Sequence, residues 1–339
     1  MTTFTHRLIP IAANDSSQVG NARRQAIAVA GSLNFDDTRQ GQVGIIVTEI
    51  ARNIAVHADT GTLVLCPWSL NNTVGLDIFG LDRGKGIPNI ERALEDGYST
   101  AGTAGQGLGA ISRLATEFQI YSTPSLGTAV FARALQASDT RRGPQSLSFG
   151  AVSLPLMGEF SSGDAWSSSH TPERSIYIVA DGLGHGPMAA EASEEAIKVF
   201  RQTSDWPPER ILKDVHGALA KTRGAAVSIA EIRYREQILN YAGAGNIAGA
   251  IWSKGKSRSM VSMNGTVGHT IARIQSFAYP WEPNSLLIMH SDGVGTRWNL
   301  EQYPGLAQRH PALVAAVLFR DFSRKRDDAT IVVSRIQSE

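Results

Sequence analysis

The chain has few of the features that mark secreted, membrane or zinc-binding proteins. Its 339 residues include a single cysteine, Cys66, which excludes an internal disulfide framework and a cysteine-based zinc site and favours a reducing compartment. No charged leader precedes an apolar segment, and no apolar run reaches the roughly 18–20 residues that a membrane span needs. We therefore expect a cytoplasmic protein with no membrane partner.

Net charge is also nearly absent. The sequence has 32 Lys and Arg against 31 Asp and Glu, a formal charge of +1, so the total charge does not indicate a nucleic-acid partner. With 42% hydrophobic and 19% charged residues, the length predicts two ordinary domains. Two short basic clusters, Arg141-Arg142 and residues 324–326, are typical of solvated loops, and phosphate binding is the alternative.

The most informative stretch is SIYIVADGLGHG, at residues 175–186. Its apolar first half predicts a buried strand that ends at Asp181-Gly182, with two more glycines close behind. A carboxylate held there is costly unless a cation meets it, and Gly182 leaves its carbonyl free to approach the same cation. Taken alone, the pattern favours an ordinary strand followed by a turn.

The same pattern recurs at other predicted strand ends. Asp164 precedes the central strand, Asp292 follows the apolar run LLIMH, and Asp327-Asp328 opens the run TIVVSR. Acidic positions at four strand ends, without a cysteine cluster or a histidine pair, suit magnesium or manganese rather than zinc.

The ordered motifs GDxW, VADGxGHG, SDG and DDAT resemble the SpoIIE/RsbX branch of the metal-dependent serine/threonine protein phosphatases, the PPM family. The resemblance extends through RGAAVSIAEI (223–232), AGAGNIAGAI (242–251) and NGTVGH (264–269). It implies an α-β-β-α sandwich that binds two Mn²⁺ or Mg²⁺ ions. The implied metal ligands are Asp164, Asp181, the carbonyl of Gly182, Asp292 and Asp327.

By this resemblance Asp181 bridges both ions and is the catalytic centre, where a metal-bound hydroxide attacks phosphorus in line. Two positions differ from the better-known eukaryotic phosphatases, which have a Glu-Asp pair at Gly163-Asp164 and a histidine directly after the Asp-Gly. Because His185 lies further along, we assign it no catalytic role. Asp328 is the alternative to Asp327 as the last ligand.

Between these motifs, the C-terminal half alternates predicted helices and strands. Pro187 is at a favoured first-turn position for a helix over 189–200, and a second helix is predicted at 207–220. Three strands over 225–252 suggest a meander, and late helices are predicted near 299–320.

The N-terminal half begins with a predicted edge strand and two helices. The second helix, from about residue 36 to 58, has one apolar face, with Glu49 and Asn53 one turn apart beside it. For an isolated pair of this kind, a polar helix flank is the favoured interpretation. Two strands joined at Asn71-Asn72 follow and end in DRGKG (82–86).

A glycine-rich loop, STAGTAGQGLG at 99–109, precedes a predicted helix at 110–118. Backbone amides ahead of a helix N-terminus suit a polyphosphate, although flexible loops look the same. A hairpin with Pro124 and Gly127 in its turn is predicted to complete this half at residue 135.

Together with EIARNIAVHA (49–58), these signals resemble the GHKL ATP-binding fold, specifically its anti-sigma-factor kinase branch. The resemblance implies an α/β sandwich, with a mixed sheet and helices on one face, that binds ATP with Mg²⁺. Glu49 is implied as the kinase base, Asn53 as the magnesium ligand and Asp82 as the partner of the adenine amino group. The remaining implied nucleotide-site residues are Gly84, Gly86, Gly105, Gly107, Leu108, Gly109 and Thr128.

We therefore predict an α+β protein with an ATP-binding domain at 1–135, a linker at 136–146 and a phosphatase domain at 147–339. The resemblances imply a partner-switching regulator that dephosphorylates serine or threonine on a STAS-domain antagonist and phosphorylates the same class of partner. A sigma factor or an anti-sigma factor is a further implied partner class. The alternative is a non-catalytic N-terminal module that holds a STAS protein or sigma factor in an ATP-dependent manner. A sensor histidine kinase is disfavoured, because no helical phosphoacceptor segment precedes the ATP motifs.

Overall fold

The computed structural model describes residues 6–70, 73–94, 107–136 and 147–336. Contacts between Cα atoms divide the chain into two compact units, Met1–Thr140 and Arg141–Glu339. The predicted linker beyond Gln136, the Asn71-Asn72 turn and Gly105 lie outside the described residues. In the described ranges, no helix is both long enough and apolar enough to cross a lipid bilayer.

The N-terminal unit packs helices against a five-stranded sheet with the strand order β1-β2-β3-β5-β4. Its elements in chain order are β1 Arg7–Ala12, α1 Ser16–Ser32, α2 Asp37–His57, β2 Thr60–Leu70, β3 Thr73–Asp82, α3 Ile90–Ala93, α4 Gly107–Leu114, β4 Glu117–Thr123 and β5 Gly127–Leu135.

Helix α2 shows how the sequence pattern positions the first site. Its N-terminus is capped by Asp36, whose side chain accepts from the Arg39 amide at 2.7 Å. Burial of each large aliphatic side chain contributes about 1.5–3 kcal/mol, which holds this helix on the sheet. Glu49 and Asn53 lie half-buried at the flank of the apolar face. The buried face consists of Val43, Ile46, Val47, Ile50 and Ile54.

The predicted α/β sandwich of this unit is confirmed, with one difference. Every pair of neighbouring strands in the described sheet is antiparallel, so the sheet is not mixed. Two parallel neighbouring strands need a connection that crosses to the opposite end of the sheet. The two helices between β1 and β2 instead bring the chain back to the end of the sheet where β1 finishes. The predicted helix at 110–118 is displaced to 107–114, because the Thr116 amide already donates to the Arg133 carbonyl at 2.7 Å beside β4.

The C-terminal unit has two five-stranded sheets, with the orders β13-β10-β9-β8-β7 and β12-β11-β14-β15-β6. Its elements in chain order are β6 Leu147–Leu154, β7 Asp164–His170, β8 Arg174–Gly182, α5 Pro187–Thr203, α6 Pro208–Ala218, β9 Ala225–Arg233, β10 Ile238–Ala244, β11 Ala248–Ser253, β12 Lys256–Ser259, β13 Ser276–Pro280, β14 Leu286–His290, α7 Pro311–Phe322 and β15 Ala329–Ile336.

The predicted α-β-β-α layering of this unit is confirmed. One core lies between the sheets and joins Tyr177 and Tyr241 of the first sheet to Leu287 and Val332 of the second. A separate core packs helices α5 and α6 on the outer face of the first sheet, and α7 lies on β6 and β15 of the second. The edge of the sandwich therefore brings strand ends from both sheets together.

Two local predictions for this unit are wrong. β9 and β10 form a hairpin, but β11 pairs with β14 in the opposite sheet, so 225–252 is not a meander. The chain changes sheets at Gly245, where φ is +99° and a side chain would collide with Ala226. Of the late helices only α7 forms, preceded by short 3₁₀ turns at Leu300–Gln302 and Leu306–Gln308.

Candidate functional site

The acidic strand ends of the C-terminal unit meet at one place. Asp164 and Asp181 lie directly opposite each other on the antiparallel strands β7 and β8. Ser291, which follows β14 in the other sheet, donates from its hydroxyl to Oδ2 of Asp164 at 2.6 Å. The same hydroxyl accepts from the Thr330 amide of β15 at 3.0 Å, so strand ends from both sheets are tied around Asp164.

The cluster concentrates negative charge. Burial, followed by the charges of Asp164, Asp292, Asp327 and Asp328, raises the pKa of Asp181 to about 9. Burial also raises the pKa of Asp164 to about 7, although the hydrogen bond from Ser291 opposes this shift. Each carboxylate therefore destabilises the ionised form of its neighbours, as expected for a site that needs a cation.

The two neighbouring aspartates at the start of β15 differ in their partners. Asp328 accepts from the amides of Leu156 and Gly163, both at 2.7 Å, so each of its oxygens is held by backbone. Asp327 accepts from the Asp328 amide at 3.0 Å and lines an open cavity. The geometry therefore makes Asp328 a support for the loop that precedes Asp164.

Two carboxylate oxygens of the cluster differ in whether they already have a hydrogen-bond partner. Oδ1 of Asp164 is buried and has no hydrogen-bond partner, whereas Oδ2 of Asp292 accepts from Asn246 at 2.7 Å. In the described part of the chain, no three acidic, histidine or cysteine side chains already surround one point as a finished metal site. A bound cation would satisfy the buried Oδ1 of Asp164, which has no partner within the protein.

Two glycines allow the loops of the site to approach closely. A side chain at Gly182 would collide with the Ala189 carbonyl, and one at Gly293 would collide with the Asp328 carbonyl. The Asp-Gly motifs therefore require glycine for packing as well as for their turns.

An open cavity of about 510 Å³ adjoins the cluster and is lined by Asp292, Asp327, Arg324 and Arg326. The two arginines are exposed, as the sequence predicts for a solvated loop, and they also face this cavity. His185 is exposed and bonds through Nδ1 to Glu159 at 2.9 Å. That contact links two surface loops.

The sequence pattern assigned no role to Ser291 or Asn246, and it favoured a solvated loop for the cavity arginines. Ser291 and Asn246 lie inside the motif segments SDG and AGAGNIAGAI. Their position next to a motif glycine or aspartate was the only hint in the sequence that they belong to the site. Their contacts with Asp164 and Asp292 join segments far apart in the chain, which periodicity does not report.

In the N-terminal unit, α2 and α4 bring three of the predicted residues together. A Cβ on Gly107, the first residue of α4, would lie 3.0 Å from Oε2 of Glu49 and 3.6 Å from Oδ1 of Asn53. Glu49 also pairs with Arg52 at 3.2 Å. Leu108 packs on the hydrophobic core and Gly109 is buried, so these two form the inner side of the first turn of α4.

A second group of predicted residues surrounds Asp82 at the end of β3. Oδ1 of Asp82 accepts from the amides of Gly84 at 2.8 Å and Thr128 at 3.2 Å. The Thr128 hydroxyl pairs with that of Ser122 at 2.8 Å. Gly86 has φ of +74°, and its Cβ would meet the Thr123 carbonyl closely, so glycine is required there.

Comparison with known proteins matches each unit to a different family. Residues 171–337 match the family described as Stage II sporulation protein E (SpoIIE), and residues 12–133 match the histidine kinase-like ATPase domain. The chain is similar to the serine/threonine-protein kinase RsbT of Bacillus subtilis (strain 168), with 36% identity over 109 residues, 32% of this chain and 82% of RsbT.

A second relative and a solved structure complete the comparison. The phosphoserine phosphatase RsbX of Bacillus subtilis (strain 168) is 26% identical over 133 residues, 39% of this chain and 67% of RsbX. A structure described as "The bacterial stressosome: a modular system that has been adapted to control secondary messenger signaling" aligns with a TM-score of 0.53 and 25% identity, covering 56% of this chain and all of that one. The chain therefore belongs to the RsbT-like family of histidine kinase-like ATPase domains and carries a second domain of the SpoIIE type, a metal-dependent serine/threonine protein phosphatase of partner-switching systems.

Proposed function

We propose that the C-terminal domain hydrolyses phosphoserine or phosphothreonine on a STAS-domain antagonist protein. The observation that carries this proposal is the meeting of four other carboxylates around Asp181 at the joined edges of two sheets. We assign the metal ligands as Asp164, Asp181, the carbonyl of Gly182, Asp292 and Asp327.

The residues fit two divalent cations of the Mn²⁺ or Mg²⁺ type. All the assigned ligands are oxygen atoms, one oxygen of Asp164 is buried without a partner, and the site has an excess of negative charge. Such ions lower the pKa of bound water, which supplies a hydroxide nucleophile at neutral pH. Asp181, which has acidic neighbours from both sheets, would be shared by the two ions.

Other residues of the domain hold these ligands in place. Ser291 fixes Asp164, Asn246 orients Asp292, and Asp328 clamps the backbone before Asp164. Because each oxygen of Asp328 already accepts from a backbone amide, we assign the last ligand to Asp327. His185 keeps its structural contact with Glu159 and takes no part in the reaction.

The surface beside the cluster supports a protein substrate. Met157 and Phe160 are 80% and 91% exposed in the loop before Asp164. Leu183, in the loop after Asp181, and Met188, in the first turn of α5, are also exposed. The contact between Glu159 and His185 joins these two loops. Large apolar side chains grouped on a surface mark a protein contact, so this rim is suited to hold the partner whose phosphorylated residue enters the site.

For the N-terminal domain we propose binding of ATP with Mg²⁺ and phosphorylation of the same class of STAS partner. Asn53 would hold magnesium, Asp82 would accept from the adenine amino group, and Glu49 would take the proton of the acceptor hydroxyl. The close approach of Gly107 to Glu49 and Asn53 supports this assignment, because it places the start of α4 against both. The glycines at 84, 86, 105 and 109, together with Leu108 and Thr128, would complete the nucleotide site.

One observation favours a second candidate function for this domain. Glu49 forms an ion pair with Arg52, so its carboxylate already has a partner within α2. If that pair persists with nucleotide bound, the domain would hold a STAS protein, a sigma factor or an anti-sigma factor without transferring phosphate.

The test uses the full chain and a cognate STAS-domain protein phosphorylated at one serine or threonine. With Mn²⁺ or Mg²⁺, intact-protein mass spectrometry should show loss of the phosphate, and a chelator should stop this loss. Asp214→Asn, at a half-buried aspartate paired with Arg210 on α6, is the matched control and should retain activity. Full activity in excess chelator would overturn the proposal.

A further inference from the structure

The cavity beside the metal cluster contains two arginines with no assigned role. Arg324 and Arg326 line it together with Asp292 and Asp327, two of the proposed metal ligands. Within the described ranges, neither guanidinium forms an ion pair, whereas the buried Arg133 pairs with Asp77. The donors of both arginines are therefore available to a ligand.

The loop that carries these arginines is tied to the loop that carries Asp292. The Arg324 amide donates to the Gly293 carbonyl at 2.8 Å, and the Gly295 amide donates to the Phe322 carbonyl at 2.9 Å. Between the arginines, Lys325 adopts a positive φ of +56°, which gives the segment a defined turn. The two guanidinium groups are thus attached to the same framework as the cluster.

Charge balance indicates what these groups bind. If the proposed function holds, two divalent cations would neutralise the four assigned aspartates, and Asp328 would add a further negative charge. A phosphomonoester dianion would then enter a site with no net attraction. Arg324 and Arg326 would supply two positive charges that match the dianion. Arginine is suited to this because its planar donors bind two phosphate oxygens at once.

We propose that Arg324 and Arg326 form the phosphate-binding subsite of the phosphatase, donating to the non-bridging oxygens of the substrate phosphate. This inference rests on the proposed function and adds to it the residues that recognise the phosphoryl group. Lys325 is the matched control, because it lies between the two arginines and carries the same charge but does not line the cavity.

The experiment compares the full-length wild type with Arg324→Ala, Arg326→Ala, the double alanine variant, the double lysine variant and Lys325→Ala. With p-nitrophenyl phosphate and Mn²⁺, the double alanine variant should raise KM at least about tenfold, as expected for lost charge-assisted hydrogen bonds. The lysine variant should recover part of this loss, and Lys325→Ala should stay within about twofold of wild type.

Calorimetric titration of inorganic phosphate into the Mn²⁺-loaded protein gives a readout that does not depend on turnover. In the double alanine variant, phosphate affinity should fall by about the factor by which KM rises. Mn²⁺ affinity and the unfolding temperature should stay near their wild-type values. Unchanged phosphate affinity in that variant would overturn the inference. If the wild type neither hydrolyses the substrate nor binds Mn²⁺, the proposed function itself is overturned. If the double variant fails to fold, the same measurements are made on the two single variants.

Discussion

The two sites of this chain differ in how their acidic residues are satisfied. In the N-terminal domain, Asp82 is held by two backbone amides and Glu49 is paired with Arg52. In the C-terminal domain, Asp164 has a buried oxygen without a partner, and Asp181 is surrounded by other carboxylates. The first site is therefore stable without a ligand, whereas the second has an electrostatic cost that a cation would remove.

The largest expected effect comes from Asp181→Asn. Loss of the proposed bridging carboxylate should reduce phosphatase turnover by about a thousandfold or more, because several kcal/mol of metal-dependent stabilisation is lost. The fold and ATP binding should persist, since asparagine keeps the size of the side chain and has no ionised form for burial and the neighbouring carboxylates to destabilise. Turnover with Mn²⁺ and nucleotide calorimetry on the same preparation measure both. Undiminished turnover would show that Asp181 is not a metal ligand of the phosphatase.

Glu49→Gln tests the other half of the comparison. If Glu49 takes the proton from the acceptor hydroxyl, phosphorylation of the STAS partner should fall by about 10²–10⁴-fold while dephosphorylation is spared. Phosphate incorporation followed by mass spectrometry reads out both steps. Asp181→Asn should show the converse, with the phosphorylated partner accumulating in ATP and Mg²⁺. If Asp181→Asn never phosphorylates the cognate partner, the binding-module alternative replaces the kinase proposal.

The electrostatic cost of the second site should depend on pH. Burial and neighbouring carboxylates raise the folded-state pKa of Asp181 to about 9, above its ordinary value of 3.8. Between these values the unfolded chain releases a proton that the folded protein retains, so stability falls as pH rises. In chelator, the stability advantage of Asp181→Asn over wild type should grow from pH 5 to pH 9. Equal pH dependence of the two unfolding curves would contradict this.

A smaller effect is expected at Asp82, because one hydrogen bond is at stake. Asp82→Asn keeps an oxygen for the Gly84 and Thr128 amides, so the site should stay folded. The proposed contact with the adenine amino group would weaken, costing about 1–3 kcal/mol of ATP affinity. Calorimetry with ATP and with GTP checks this. Equal affinity of the wild type for the two nucleotides would refute the assignment.

The comparison also shows where sequence is informative. Features that depend on local periodicity or on turn residues were predictable. They include the apolar face of α2, the start of α5 at Pro187 and the strands that lead to Asp181 and Asp292. The antiparallel N-terminal sheet and the passage of β11 to the opposite sheet were not, since they depend on which distant strands pair.

The same limit applies to the candidate sites. Motif order indicated the acidic residues and the glycines. Which neighbouring aspartate is bound by backbone depends on contacts across more than a hundred residues. Which arginines reach the cavity depends on how the loop after α7 pairs with the loop after β14.

The smallest expected effect concerns two helical glycines. A Cβ at Gly107 would lie 3.0 Å from Oε2 of Glu49, so Gly107→Ala must move that carboxylate by a few tenths of an ångström. Gly41 in α2 has open space around it and is the matched control. Gly41→Ala should raise the free energy of unfolding by about 0.5–1 kcal/mol without changing phosphorylation. Gly107→Ala should gain less stability and slow phosphorylation several-fold. If both variants phosphorylate the partner at the wild-type rate, the start of α4 does not position Glu49 of α2 for the reaction.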